Sequence, residues 1–349
     1  MNPFRYITPY FFSGLMDDPI LLIRINPLKE SLLFDCGNIN HIAKRIFKSI
    51  STVFITHAHM DHFIGIDTLI RNILVSPKTI KIFGPPEIAQ KIEAKLLGYH
   101  WNLVEDYYCN LEIYEVSESS CKVFMLRGSQ EFKSIEKKTL AIKNNIIYEN
   151  QFLTVKAVLC DHKIPVLAFN VTEKPHFEID RQKLESLNIE TGSWLNELKQ
   201  WFYHKDNIDF TLSQKVPDPI TSVALYEQIK KDSSGVSLTY ITDIGFNDNN
   251  LEQMKKLSKR VNILICECSF LNQDKYKARN SFHLCTSDVN HLIGELKPNI
   301  VIPIHLSRTY KKISYQLYDE ITPSDEYEVI RLPLRKTLLP LNFESGRLL

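Results

Sequence analysis

Short runs of apolar residues recur along the chain and predict buried β-strands. Between several of these runs, apolar positions recur every three or four residues, which is the periodicity of a helix with one buried face. The predicted strands are Leu21–Ile25, Ser31–Phe34, Thr52–Ile55, Ile80–Phe83, Leu111–Val116, Val123–Leu126, Phe152–Leu159, Pro165–Val171, Ser237–Thr242, Asn262–Cys266 and Ile300–Ile304. The predicted helices are His41–Ser49, Phe63–Leu74, Pro86–Gly98, Asn249–Leu257 and Thr286–Leu296, with Thr286 as the N-cap of the last. This alternation predicts a layered α/β fold.

One segment departs from this pattern. From Lys174 to about Pro219 the chain is mostly polar and contains no run that reads as a central strand. Its aromatic residues include Trp194, Trp201 and Tyr203. We therefore interpret residues 174–219 as an insertion into a single domain that spans residues 1–349.

Composition limits the kinds of partner. Hydrophobic residues make up 44% of the chain and charged residues 24%, values typical of a globular protein with a sizeable core. The net charge is +1, from 42 basic and 41 acidic residues. No overall field attracts nucleic acid, so any basic surface must be local.

Seven scattered cysteines indicate reduced thiols, because their number is odd and Cys266-x-Cys268 has no matching partner pair. The N-terminus does not have the pattern of a signal peptide, and no apolar run is long enough to span a membrane. We therefore expect a cytoplasmic protein that does not insert into membranes.

The highest density of candidate metal ligands lies in residues 56–62, which we call the ligand turn. His57, His59, Asp61 and His62 follow the predicted strand that ends at Ile55. Imidazole and carboxylate groups are the ligands that Zn²⁺ takes, and four of them within six residues suggest a crowded cluster that still leaves metal positions open for water. A surface turn that happens to be rich in histidine is the alternative, but such a cluster has no ordinary role in packing. The turn therefore predicts two metal ions and hydrolytic chemistry.

Three further candidate ligands, His162, Asp243 and His305, each follow a predicted strand. Taken singly, a histidine in such a place is more often a hydrogen-bonded turn residue, and Asp243 could cap the next turn. Because all of them follow short apolar strands, one edge of a sheet would present the whole set.

With Asp35 after an earlier strand, these residues resemble the pattern of the metallo-β-lactamase superfamily over about residues 20–310. The resemblance implies a four-layer αβ/βα sandwich with two Zn²⁺ ions at one edge, Mn²⁺ being an alternative. The implied ligands are His57, His59 and His162 for one ion and Asp61, His62 and His305 for the other, with Asp243 bridging both. Asp35 would brace the ligand turn without touching metal.

Finer motifs resemble those of the tRNase Z (ribonuclease Z) branch. The matching segments are Phe63–Arg71, Ile82–Pro86, Glu267 within Cys266–Phe270, His283 within His283–Thr286, and Pro303–Tyr310. The insertion is placed like that family's substrate arm. This resemblance implies a phosphodiesterase, with a tRNA precursor as partner, a possible homodimer, and cleavage at tRNA 3′ ends by a hydroxide that bridges two zinc ions.

The resemblance also implies individual roles. Asp61 would bind metal and take a proton from the hydroxide. His283, oriented by Glu267, would protonate the leaving oxygen. Independently of the resemblance, we expect Arg308 and Tyr310 to contact phosphate, because they follow the last ligand, His305; the family's arginine lies one position later. The alternatives are a helix-start histidine bound to backbone for His283 and a solvated strand-end charge for Glu267.

Several departures from the family pattern keep other substrates open. Asp243 lies between Thr242 and Ile244 rather than between glycine and threonine, and the element Glu190–Ser193 replaces a Pro-Gly-Pro sequence. The insertion is slightly acidic, whereas an arm that grasps tRNA should be basic. The alternatives are a phosphodiesterase for a small substrate such as a cyclic nucleotide, another hydrolase such as a thioesterase or lactonase, and a catalytically silent binding protein.

Overall fold

The computed structural model describes residues 3–103, 107–204, 221–231, 235–258, 260–321, 325–336 and 341. The chain divides into two compact units, one formed by Met1–Glu173 with Val236–Leu349 and the other by Lys174–Gly235. Residues 205–219 of the predicted insertion lie outside the described residues. All predicted metal ligands belong to the first unit.

Within the described residues, the first sheet contains eight strands that lie side by side in chain order. They are β1 (Ile7–Phe11), β2 (Leu21–Ile25), β3 (Glu30–Phe34), β4 (Ile50–Phe54), β5 (Thr79–Gly84), β6 (Asn110–Val116), β7 (Ser120–Arg127) and β8 (Ser134–Ala141). Strands β3 to β6 are parallel to one another, and the remaining neighbours are antiparallel. The carboxyl ends of β3 and β4 therefore meet at one edge.

The second sheet contains seven strands in the described part of the chain. They are β9 (Ile146–Glu149), β10 (Leu153–Asp161), β11 (Pro165–Glu173), β12 (Ser237–Ile241), β13 (Ile263–Glu267), β14 (Ile300–Ile304) and β15 (Glu328–Val329). Their order runs from β15 down to β9, and β12 to β15 are parallel. Parallel strands buried on both faces read as continuous apolar runs, which is why the sequence predicted β12, β13 and β14.

Eleven helices occur among the described residues. They are α1 (Lys44–Ser49), α2 (Met60–Phe63), α3 (Ile66–Ile73), α4 (Ile88–Leu96), α5 (Arg181–Ser186), α6 (Trp194–His204), α7 (Ser222–Ile229), α8 (Asp248–Leu257), α9 (Lys275–Ser281), α10 (Thr286–Leu296) and α11 (Tyr315–Glu320). Helices α1, α3 and α4 pack on the outer face of the first sheet, and α8 and α10 pack on the second. The expected four-layer αβ/βα sandwich is confirmed.

Aromatic side chains fill the space between the sheets directly below the candidate ligands. Phe34 and Phe54, at the ends of β3 and β4, stack with ring centroids 4.7 Å apart. Phe54 contacts Phe169 of the second sheet at 5.6 Å, and Phe34 contacts Tyr240 at 6.0 Å. All four side chains are buried, so close packing fixes the strand ends from which the site residues emerge.

Two local predictions were wrong. The single helix predicted over residues 63–74 is broken into α2 and α3 at Gly65, where a Cβ would lie 2.2 Å from the carbonyl oxygen of Gly37. Only glycine permits this close approach, which joins the ligand turn to the chain after β3. The N-cap of α10 is Cys285, and Thr286 is its first helical residue.

Four strands were not predicted, and one of them, β15, is only two residues long. Strand β1 contains Pro9, a residue that argues against a strand except at a sheet edge, and β9 is only four residues long. Strand β8 is an edge strand with seven exposed residues, including Lys137 and Lys138, so it lacks the apolar alternation that identifies a half-buried strand.

The unit at Lys174–Gly235 has a small apolar core of its own. Leu184 of α5, Trp194 and Leu198 of α6, and Leu225 and Ile229 of α7 are buried together. Asp180 and Thr221 cap α5 and α7. The predicted outline of an insertion at 174–219 stays a prediction, since this unit also includes α7.

Candidate metal centre

The structure brings all seven predicted ligands to one edge of the sandwich. The ligand turn follows β4, and the other three ligands follow strands of the second sheet. His162 follows β10, Asp243 lies two residues beyond β12, and His305 follows β14. The side chains form two groups that share Asp243, namely His57, His59, His162 and Asp243, and Asp61, His62, Asp243 and His305.

Asp243 lies at the middle of the cluster and is buried. Its Oδ2 atom is 3.4 Å from Nε2 of His62, 3.7 Å from Nε2 of His57 and 3.8 Å from Nε2 of His162. Its Oδ1 atom is 3.4 Å from Nε2 of His305. Oδ2 thus faces His57 and His162 of the first group and His62 of the second, and Oδ1 faces His305. The carboxylate therefore lies between the two groups, as expected of a ligand that they share.

The free polar atoms fit a divalent metal. In the described part of the chain, Nε2 of His57, Nε2 of His62 and Oδ1 of Asp243 are buried without a hydrogen-bond partner. Leaving such groups unpaired is costly. Ligand atoms around a tetrahedral zinc ion lie about 3.3 Å apart, given bond lengths of about 2.0 Å. The Oδ2 atom of Asp61, 3.4 Å from Nε2 of His305 and 3.7 Å from Nε2 of His62, has a similar spacing.

The electrostatics of the cluster favour a cation. Burial lowers the pKa of His57 to about 2, with a contribution from His62, so its imidazole is neutral and able to bind metal. Burial also acts to lower the pKa of His62, but the carboxylates of Asp243 and Asp35 outweigh it and raise that pKa well above its usual value. Two carboxylates thus converge where positive charge is stabilised.

Asp35 braces the ligand turn from below. Its backbone has a φ of 56°, a left-handed conformation that is uncommon outside glycine. Its buried carboxylate accepts hydrogen bonds from the backbone N–H of Thr56 at 2.8 Å, from Nδ1 of His62 at 2.9 Å and from the hydroxyl of Tyr240 at 3.1 Å. When Nδ1 of His62 donates to Asp35, the lone pair of Nε2 faces the metal position.

His162 is oriented by a backbone carbonyl. Its Nδ1 atom lies 2.6 Å from the carbonyl oxygen of Phe282, to which it donates, so that Nε2 faces the cluster. Phe282 has a φ of 57°. Its carbonyl could not be identified from sequence, because a backbone oxygen carries no residue-type signal.

Glu267 and His283 form a buried pair beside the ligands. Nδ1 of His283 donates to Oε2 of Glu267 at 2.9 Å and lies 3.9 Å from Oδ1 of Asp243. Glu267 is fully buried and also accepts from the Ser269 hydroxyl and the Ile244 backbone N–H. It is thus not a solvated charge, and His283 is not at a helix start, because it precedes the N-cap of α10.

The pair also sets the protonation of His283. Burial acts to lower the pKa of His283, but the carboxylates of Glu267 and Asp243 outweigh it and raise the pKa to about 9. His283 therefore favours the protonated form that a proton donor needs.

A cavity of about 360 Å³ opens over the cluster. Its lining includes Asp18, Asp61, His283, His305 and Arg308. Arg308 is exposed at this cavity, in keeping with its predicted contact to phosphate.

Tyr310 does not reach the cavity. The side chain is buried, and its hydroxyl donates to Oδ2 of Asp274. It is the last residue of the 3₁₀ turn Arg308–Tyr310 and is not among the residues that line the cavity. The predicted contact between Tyr310 and substrate is therefore not supported by the structure.

Comparisons with known proteins agree with this geometry. A family model described as "Beta-lactamase superfamily domain" matches residues 31–136, the part that contains Asp35 and the ligand turn. Ribonuclease Z of Deinococcus radiodurans is 24% identical over 288 residues, covering 82% of this chain and 85% of that protein. Ribonuclease Z of Prochlorococcus marinus (strain MIT 9215) is 29% identical and covers 87% of this chain and 86% of its own.

Among solved structures, the short form of human tRNase Z covers 96% of this chain and 98% of its own, at 15% identity and a TM-score of 0.52. The metallo-β-lactamase fold protein YhfI from Bacillus subtilis gives the same coverages at 12% identity and a TM-score of 0.56. These structural likenesses show the fold, and the sequence relatives extend the similarity along most of the chain.

Proposed function

We propose that this chain, which belongs to the tRNase Z-like branch of the metallo-β-lactamase superfamily, is a metal-dependent endoribonuclease that acts on the 3′ ends of tRNA precursors. The observation that carries the proposal is the buried Glu267–His283 pair beside a cluster of seven metal ligands. Its similarity to the ribonuclease Z of Deinococcus radiodurans over 82% of the chain supports the same conclusion.

The proposed metals are two zinc ions, with Mn²⁺ as an alternative. The ligands would be His57, His59 and His162 for one ion and Asp61, His62 and His305 for the other, with Asp243 shared. Such ions, when bound, supply Lewis acidity and lower the pKa of a water molecule that can attack phosphorus. Mass spectrometry of the intact protein should find close to two zinc ions per chain, and metal-free protein after expression with added zinc would contradict the proposal.

The chain's own residues would then move protons and hold the phosphate. Asp61, whose side chain is 38% exposed at the cavity, is placed to accept a proton. His283 would donate a proton to the leaving oxygen from Nε2, because Glu267 occupies its Nδ1 proton. Arg308, exposed at the same cavity, would bind a phosphate oxygen.

A direct assay tests the proposal. The wild-type protein and Asp243→Asn would be incubated with a tRNA precursor that carries a 3′ trailer, and in parallel with cyclic nucleotides. We expect wild type to release the trailer as one fragment and Asp243→Asn to be inactive. Absence of cleavage of the tRNA precursor by zinc-loaded wild type would reject the RNA substrate.

A phosphodiesterase for a small substrate is the second candidate. It is favoured by the charge of residues 173–206, where acidic residues outnumber basic ones. An RNA-grasping arm gains most of its affinity from neutralising phosphates, which an acidic surface does not do. Turnover of cyclic nucleotides alone in the same assay would select this candidate.

We also propose a homodimer in the cytoplasm, from the family resemblance and from the seven cysteines, all of which are free and buried. Among the described residues, no helix is long and apolar enough to cross a membrane. Sedimentation equilibrium should give twice the chain mass, and a monomer at micromolar concentration would contradict the dimer.

A further inference from the structure

We propose that Arg279 and Asp288 form a positioning pair that holds residues 282–285, here called the His283 loop, against the metal centre. The inference deepens the proposed function and rests on it. Neither residue reaches the cluster itself. They act through the His283 loop, which contacts the centre at two points.

The pair itself is short and bidentate. Nη1 and Nη2 of Arg279, on α9, each lie 2.6 Å from a different carboxylate oxygen of Asp288, on α10. The Asp288 side chain is only 2% exposed and that of Arg279 is 31% exposed, so solvent reaches this contact only from the Arg279 side. Two parallel charged hydrogen bonds fix both distance and orientation between the helices.

Asp288 has a second role at the start of α10. Its Oδ2 atom accepts from the backbone N–H of Cys285 at 3.0 Å and from the Cys285 thiol at 3.1 Å, which completes a capping box. One buried carboxylate thus ties the last residue of the His283 loop to α10 and, through Arg279, to α9. Between Ser281 and Cys285 only three residues remain, so the loop has little freedom.

The His283 loop acts on the centre at two points. The carbonyl oxygen of Phe282 accepts from Nδ1 of His162, and the imidazole of His283 donates to Glu267. Behind the loop, a Cβ on Gly245 would lie 2.8 Å from the Phe282 ring, so the backbone there approaches closely. A shift of the loop would therefore rotate one metal ligand and displace the proton donor together.

This coupling predicts a specific pattern of effects. Groups that orient metal ligands typically change metal affinity or activity by about 10- to 100-fold when removed. We expect Arg279→Met to lower kcat for bis-p-nitrophenyl phosphate by about that factor while KM changes less than about twofold, because the phosphate-binding Arg308 is untouched. We also expect weaker binding of one of two zinc ions.

The experiment compares four variants with wild type by steady-state kinetics, zinc competition with a chromogenic chelator, and thermal unfolding. Arg279→Lys keeps the charge but not the bidentate fork, so its kcat should be intermediate. Arg279→Met alone leaves the buried Asp288 carboxylate without its partner. The double variant Arg279→Met/Asp288→Asn also removes that carboxylate charge, so it should be more thermally stable than Arg279→Met but have an equally low kcat. Lys255→Met, which breaks the exposed pair of Lys255 with Glu295 between α8 and α10, is the matched control.

The outcomes separate positioning from folding. If Arg279→Met matches Lys255→Met in kcat and in both zinc affinities, or if kcat returns together with stability in the double variant, the positioning role is wrong. If wild type hydrolyses neither the tRNA precursor nor bis-p-nitrophenyl phosphate, the proposed function is wrong. The zinc affinities alone then show whether Arg279 and Asp288 position the His283 loop.

Discussion

The ligand turn and the His283 loop lie on two sides of the same centre and are built in different ways. The turn supplies four ligands within six residues, and one carboxylate, Asp35, braces it from directly below. The loop supplies no ligand to the two main groups. It reaches His162 through a backbone carbonyl across 120 positions of sequence.

This difference indicates that the two regions have different roles. The ligand turn provides metal binding, because its side chains converge with unpaired lone pairs. In the proposed function, the His283 loop would orient His162 and supply a proton, because its contacts end on Nδ1 of His162 and on Glu267. Damage to the two regions should therefore give different phenotypes.

The largest expected effects separate metal loss from loss of the proton donor. His62→Ala should lose both zinc occupancy and turnover, because Nε2 of His62 faces Asp243 in the cluster. His283→Ala should keep two zinc ions yet lower kcat for a tRNA precursor by about 10²–10⁴, the range of general acid catalysis. Zinc content and kcat, measured on the same samples, test the distinction.

His291→Ala is the control for this pair, since His291 is exposed on α10 and its ring contacts Glu295 and Phe246. It should match wild type in both readouts. Retained turnover in His283→Ala would show that His283 is not the proton donor. Loss of zinc in that variant would show that the ligand turn and the His283 loop do not have separate roles.

The next effect concerns the brace of the ligand turn. Asp35→Asn keeps the shape of the side chain but weakens its hydrogen bonds to Thr56, His62 and Tyr240. We expect zinc affinity to fall by about 10- to 100-fold, as for other groups behind metal ligands. The free energy of unfolding should fall by roughly 1–3 kcal/mol, because buried partners are left poorly paired.

Chelator competition and urea unfolding measure these two changes. Asp67→Asn, which breaks a partly exposed ion pair with Lys95 on the neighbouring helix, should leave zinc affinity unchanged. Equal zinc affinities in Asp35→Asn and wild type would show that the turn holds its ligands without the brace.

The two regions also differ in what sequence could predict. The ligand turn was predictable because its ligands are adjacent and follow a buried strand, so their convergence is local. Asp35, Glu267 and His283 were assigned roles only through the family resemblance, although the structure now gives their contacts. The hydroxyl of Tyr240 and the carbonyl of Phe282 were missed, because a buried aromatic and a backbone oxygen look ordinary in sequence.

Long-range contacts account for two further failures. The exposed edge strand β8 has no apolar alternation, so only its register against β7 defines it. The break between α2 and α3 depends on the approach of Gly65 to Gly37, which are far apart in sequence. In each case the deciding contact joins segments whose proximity no local pattern encodes.

A smaller effect at neutral pH tests whether the charge of Glu267 raises the pKa of His283. The charge of Glu267 helps to raise the pKa of His283 to about 9, and an acid works only below its pKa. Glu267→Gln should therefore move the alkaline limb of kcat to lower pH by about 1–3 units, the usual influence of one close opposite charge. A pH–rate profile at saturating substrate measures this shift. An unmoved limb would mean that His283 does not set it.

The smallest expected effects concern Arg308 and Tyr310 and define the extent of the phosphate-binding site. Arg308→Met should raise KM for the tRNA precursor by about tenfold, since a charged hydrogen bond to phosphate contributes roughly 1.5 kcal/mol or more. Tyr310→Phe should change kcat and KM by less than about twofold, because its hydroxyl faces Asp274 rather than the cavity, and it should slightly lower thermal stability. A tenfold rise in KM for Tyr310→Phe, with Arg308→Met unchanged, would place substrate on the far side of the 3₁₀ turn. The cavity shared by Arg308 and His283 would then not be the phosphate site.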